Sequence, residues 1–144
     1  ISTVDAGALL EKFWNVTAEL KTYGTENAEG TLSSTEQDGQ NALSDLQAAL
    51  AKNGAATAVV NAETIWNAAR PPDSPPAATP NYADPNHAVS VVKVDLNSGM
   101  VYLNDSGPAY GQGERVPLGA FMSAWQGSGY KLTIVKKKED ASGA

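Results

Sequence analysis

Val89, Val91, Val92 and Val94 crowd into one run that stops at Asn97-Ser98-Gly99, and a second β-rich run follows at once. β-Branched residues at this density disfavour helix and suit a pleated strand. The Asn-Ser-Gly stop between residues 88–96 and 100–103 is a turn signal of the hairpin kind. The fold is therefore expected to be built on a β-hairpin whose first strand is buried on, or nearly on, both faces. A hairpin brings its open ends together. His87, the sole histidine, precedes the first strand and Asp105 follows the second, so both belong at one end of the sheet. An imidazole beside a carboxylate is the orienting half of a nucleophilic triad, in which the acid fixes the tautomer and stabilises the imidazolium. A strand-end histidine and a loop aspartate with no mutual role is the other reading of the same spacing.

Residues 2–23 read as a helix, because Leu9, Phe13, Val16, Leu20 and Tyr23 recur at the +4 and +3 spacing of one helical face. Ser2 to Asp5 resembles a capping box, and Gly24 is placed to end the helix. Asn15-Val16-Thr17 is the point where it would break. Residues 25–40 carry Glu26, Glu29, Glu36 and Asp38 with no lysine or arginine. They read as a surface loop or a poorly formed hairpin, with an acidic docking surface as the alternative. Leu43, Leu46 and Leu50 mark a helix over 41–53, stopped by Gly54, and residues 55–61 follow as a short buried strand.

Six of the eight prolines fall within residues 70–85, which excludes a regular helix or strand there because proline lacks the amide donor and fixes φ. A long, semi-rigid loop leading to His87 is expected instead. Beyond the hairpin, Gly107, Gly111 and Gly113 predict a flexible loop. A helix over 119–125 would place Phe121 and Trp125 at i, i+4, and a strand over 130–135 would close the chain. These elements predict an α+β fold, with N-terminal helices packed on a small, mainly antiparallel sheet of four strands.

Three motifs, His-Ala-Val-Ser-Val-Val, Val-Tyr-Leu-Asn-Asp-Ser-Gly and Val-Pro-Leu-Gly-Ala-Phe-Met-Ser-Ala-Trp, together resemble the later portion of bacterial C39-like, papain-type cysteine peptidase domains. A weaker likeness extends upstream, so that residues 20–135 are covered. The resemblance implies a single papain-like, C39-like domain over residues 1–144. It implies His87 as general base, Asp105 as the acid that orients it with Asn104 alongside, and Phe121 and Trp125 on the helix that closes the domain. It also sets Trp66 beside the active-site cleft, which makes Trp66 and Asn104 candidate substrate-binding residues. A lid on the hydrophobic core is the plainer role for Trp66.

The departure from the family is equally clear. The chain has no cysteine, and the glutamine that lines the family's oxyanion hole has no counterpart. Both belong to a segment that the family places before the part matched here, so the domain is expected to lack its cysteine-bearing helix. One reading is a non-catalytic pseudopeptidase that serves as a binding or interaction module. The other is the C-terminal fragment of an active cysteine peptidase or amidase whose nucleophile lies upstream of residue 1. The likeness further implies a bacterial protein that is exported or associated with the cell envelope.

Charge and composition narrow the partners. A net charge of −6 leaves no broad basic face to neutralise phosphates, which argues against nucleic acid. No apolar run approaches the ~20 residues that span a bilayer. One histidine and no cysteine exclude the usual zinc ligand sets, so neither a metal nor a cofactor is expected. What remains is a protein or peptide in the cleft, and association through any apolar face that the missing helix leaves uncovered.

Overall fold

The computed structural model describes residues 16–52, 54–76, 84–108 and 111–137. In chain order the elements are β1 (Val16–Lys21), β2 (Thr25–Glu26), β3 (Leu32–Ser33), α1 (Glu36–Ala51), β4 (Ala55–Val60), α2 (Ala62–Ala69), β5 (His87–Asp95), β6 (Met100–Asn104), β7 (Gln112–Pro117), α3 (Leu118–Gln126) and β8 (Leu132–Lys137). Six strands form one antiparallel sheet in the order β1-β8-β4-β5-β6-β7, and β2 pairs with β3 apart from it. The last strand of the chain thus inserts between the first and the fourth. The protein is α+β.

One face of the sheet is dry. Ala56, Ala58 and Val60 of β4, Val89 and Val91 of β5, Val101 and Leu103 of β6, and Leu132 and Ile134 of β8 are all buried on it. In β4, β5 and β6 they alternate with exposed or half-exposed neighbours, as the period-2 pleat requires, whereas in β8 the intervening Thr133 is buried too. Against this face pack Leu46 of α1, Ile65 of α2, and Phe121 and Trp125 of α3, all fully buried and all in one apolar cluster. Trp125 also donates its indole N–H to the carbonyl of Lys131 at 2.8 Å, which fastens α3 to the start of β8. The hairpin turn forms where expected: the Asp95 side chain accepts from the amides of Asn97 and Ser98, and Gly99 takes φ of 70°, a left-handed conformation cheap only for glycine.

Several sequence expectations are corrected. The helix over residues 2–23 does not extend through its second half, because Val16–Lys21 is the edge strand β1, paired with β8 from Val16↔Lys137 to Lys21↔Leu132. Residues 2–15 lie outside the described residues. Val16, Leu20 and Tyr23 fit a helical face, but Val16, Ala18 and Leu20 also fit a strand, and pairing with β8 decides between them. Of the two readings over 25–40, the short hairpin is found, as β2–β3, and the correction lies at its end, where α1 starts at Glu36 and not at residue 41. Thr35 caps that helix, accepting from the Asp38 amide while Asp38 accepts from the Thr35 amide, a reciprocal box that sets the start at Glu36.

The loop expected after the hairpin is found at residues 106–108 and at Gly111, but its end, Gln112 and Gly113, belongs to strand β7, because pairing with β6 holds Gln112–Pro117 extended. The sheet therefore has six strands where four were expected. The valine run is buried on one face only: Val89 and Val91 point inward while Ser90 and Val92 are exposed. Among the described residues the large exposed hydrophobics are Leu20, Val92 and Leu96.

Asn61 joins the parts that position the site. It is fully buried between β4 and α2, where its side-chain oxygen caps α2 by accepting from the amide and hydroxyl of Thr64 at 3.0 and 2.7 Å. Its side-chain amide donates to the carbonyl of Asp84 at 2.9 Å, and the neighbouring Asn86 accepts from the Ala62 amide at 2.9 Å. The start of α2 and the approach to His87 are thereby tied together. Asn61→Ala is expected to lower unfolding free energy by about 2 kcal/mol or more, a lost cap of ~1 kcal/mol plus buried groups left unpaired. Urea denaturation measures it, and a loss below about 0.5 kcal/mol, the ordinary range for an unimportant surface change, would contradict this role.

Candidate functional site

His87 opens β5 opposite Val60, and Asp105 follows β6. Both side chains fall on the helix-covered side, since residues 87, 89 and 91 alternate inward, as do 101, 103 and 105. The imidazole Nε2 lies 2.6 Å from Asp105 Oδ1. The His87 side chain is 20% exposed and that of Asp105 is 0% exposed, so the acid is sealed and the base is accessible. The same Oδ1 accepts from the Gly107 amide at 2.9 Å, and Oδ2 accepts from the indole Nε1 of Trp66 at 2.8 Å. Trp66, on α2, also sets its ring edge-on to the imidazole with centroids 5.5 Å apart. The two residues singled out in the sequence thus meet, and Trp66 joins them.

Burial is the largest influence on the Asp105 carboxyl and opposes its ionisation. The Gly107 amide, the His87 and Trp66 hydrogen bonds and the His87 charge together outweigh it, so its pKa is held below the ordinary 3.8. Asp105 is therefore an acceptor at neutral pH, and the bond to it must be donated by Nε2–H. That fixes the tautomer. In the neutral ring Nδ1 then carries the lone pair, and no hydrogen bond reaches it from the described residues. The pair is an oriented base of the kind a nucleophilic site needs.

The loop after β6 is shaped to the acid. The Asp105 amide donates to the Gly111 carbonyl at 2.9 Å, and a Cβ on Gly111 would lie 1.9 Å from the Asp105 carbonyl oxygen. Only glycine fits there. Asn104 points to the opposite side of the sheet, and its side-chain oxygen accepts from the Gly113 amide at 2.8 Å. A cavity of about 330 Å³ opens on that side, lined by Thr57, Ala88, Ser90, Asn104, Asp105, Ser106 and Gln112. Asn104 lines it and Trp66 does not. Among the described residues no group of three or more His, Asp or Glu side chains is placed to hold a metal, and no helix is long and apolar enough to cross a membrane.

Glu114 escaped the sequence reading. It stands on β7 opposite Leu103 and is only 5% exposed. Neither of its carboxyl oxygens has a hydrogen-bond donor among the described residues. Burial, then the charge of Asp105, then a hydrogen bond shared with Asp105 push its pKa up to about 8. Two acceptors cannot bond each other, so that last contact exists only when a proton sits between them. The available sequence signal was the alternation of Glu114 with Val116, which places a charged residue on an inward register.

No protein-family model and no solved structure matches the chain. Among curated proteins it is similar to one from Mycobacterium tuberculosis and one from Mycobacterium bovis, each described only as uncharacterised, at 35% identity over 85 residues. The aligned stretch is 58% of this chain and 34% of each relative, so the match spans about a third of the relatives' length.

Trp66→Phe keeps an aromatic ring and deletes one donor to Asp105. It is expected to cost roughly 1.5–3 kcal/mol at pH 7, the range for a hydrogen bond to a charged group. The pH dependence has a definite sign. An acid with a lowered folded pKa contributes stability above its unfolded value, and that contribution is lost as pH falls through the folded value. The variant's Asp105 sits nearer the ordinary 3.8, so it loses less on acidification and the gap between the two proteins narrows. Urea unfolding at pH 7 and at about pH 3 reads this. An unchanged gap would mean that only packing was removed.

Proposed function

We propose that this chain is a C39-like, papain-like peptidase domain that binds a protein or peptide and does not cleave it. The observation that carries the reading is the Asp105-fixed imidazole, with Nε2 at 2.6 Å from the acid and Nδ1 left as a free acceptor among the described residues. This is the base half of a thiol-hydrolase centre, complete with its orienting acid. The nucleophile half is absent from the sequence, which contains no cysteine. An oriented imidazole without an attacking atom polarises or hydrogen-bonds a bound group but opens no covalent route. The groove lined by Thr57, Ser90, Asn104 and Gln112 offers donors and acceptors suited to an extended polypeptide, but it opens on the side of the sheet away from the imidazole, and His87 does not line it. An exported or cell-envelope location belongs to the same reading and rests on the family likeness alone.

The intact geometry of the pair favours one second reading. In it, the chain is the base-bearing portion of an active cysteine peptidase or amidase, and a preceding segment supplies the thiol. There His87 Nδ1 would take the thiol proton to give the attacking thiolate, and would return a proton to the leaving amine.

Purified protein of this sequence is expected to hydrolyse neither peptide nor amide reporter substrates above background and to take up no thiol-directed label. Turnover that disappears in His87→Ala would overturn the binding reading by exposing a nucleophile within the chain. Turnover confined to a longer parent protein, and abolished there by both His87→Ala and a thiol-blocking reagent, would establish the second reading in its place.

A further inference from the structure

We infer that Glu114 is a positioning residue for the His87–Asp105 pair: protonated, it donates its carboxyl O–H to the Asp105 carboxylate and so governs the field felt by the imidazole. The inference takes the pair to be the working centre, as in the preceding reading, but its test involves no turnover. Three geometric facts carry it. Leu103 and Asp105 lie on the same side of β6 and its exit, and Glu114 is the cross-strand partner of Leu103. The pairing shifts register between Leu103 and Asn104, and across that irregularity Glu114 neighbours Asp105 closely enough to feel its charge. It is 95% buried, being 5% exposed, and no donor among the described residues meets either oxygen. A buried carboxylate without a donor is costly, whereas a buried carboxylic acid facing a carboxylate is satisfied by its own proton.

The surroundings leave Asp105 as the group that matters. Of the elements packed on β7, β6 and its exit contribute Asp105 to this side, with His87 beyond it. Helix α3 carries no ionisable side chain. Helix α2 carries Glu63, which accepts from the Asn86 side chain and also feels the charge of His87, and it ends at Arg70, whose guanidinium donates to the Ser74 carbonyl. Arg115 is exposed, on the other side of β7. Among the described residues no lysine or arginine pairs with Asp105, whose only ion-pair partner there is His87 when protonated. The neutral acid thus adds a donor to those that Asp105 already has, from Gly107, Trp66 and His87. Its ionisation, at about pH 8, replaces that donor with a like charge next to the pair.

The test is a carbon-13 and nitrogen-15 NMR titration of the full chain from pH 5 to 10, following the Glu114 carboxyl carbon and the ring nitrogens of His87. The single histidine makes its signals unambiguous. The Glu114 carboxyl is expected to titrate near 8 and not near the ordinary 4.5. The His87 nitrogens should report a second step at that same midpoint. In Glu114→Gln the step should vanish while the Nε2–H signal persists, because the glutamine amide donates to Asp105 at every pH. Glu114→Leu, of similar bulk but without a donor, should shift the Nε2 resonance already at pH 6. A Glu114 carboxyl that titrates in the usual acidic range would overturn the inference. So would His87 signals that are the same in Glu114→Gln as in the parent protein. Neither result bears on whether the pair serves hydrolysis or binding.

Discussion

The buried carboxylate of Asp105 is the interaction on which the candidate site depends. A charge with a fully covered side chain loses several kcal/mol of hydration unless donors replace the water. Here the donors come from three places in the chain: the imidazole at the start of β5, the indole on α2, and the Gly107 amide in the loop after β6. Each is useful to Asp105 only if its own element is correctly placed. The acid is therefore a junction that reports on the packing of α2, the register of β4 with β5, and the conformation of the β6–β7 loop. Backbone close approach at Gly111 and the buried cap at Asn61 hold two of those elements from behind.

The same arrangement explains the division of exposure within the pair. Asp105 is closed off and committed to accepting, which removes any choice of tautomer from the imidazole. His87 remains partly open, with its second nitrogen available among the described residues. Glu114 adds one more buried carboxyl beside the junction, its pKa raised chiefly by burial, while that of Asp105 is lowered.

Much of the centre was legible from residues alone, because it follows from local chemistry. Hairpin closure at Asn97-Ser98-Gly99 necessarily brings residues 87 and 105 to one end of a sheet. Phe121 and Trp125 at i, i+4 and the strand over residues 55–61 likewise rest on short-range pattern, and α3 and β4 appear there. What was not legible depends on partners distant in sequence. Strand β1 owes its conformation to β8, more than a hundred residues later, and β7 owes its own to β6. The capping box of Thr35 and Asp38 was present in the sequence but masked by an acidic, glycine-containing stretch that resembles a loop. Trp66 was marked for a cleft, and its indole in fact serves Asp105. Glu114 carried no motif at all, since a buried carboxyl declares itself only once the strand register is known.

The central claim is that Asp105 fixes His87 as the Nε2–H tautomer and leaves Nδ1 as the acceptor. Long-range proton–nitrogen correlation of the sole histidine, recorded with the ring neutral, tests it without reference to any substrate. The account predicts a protonated Nε2 with a hydrogen-bonded, downfield proton, and a pyridine-like Nδ1. A ring protonated at Nδ1, or one averaging freely between the two forms, would contradict it.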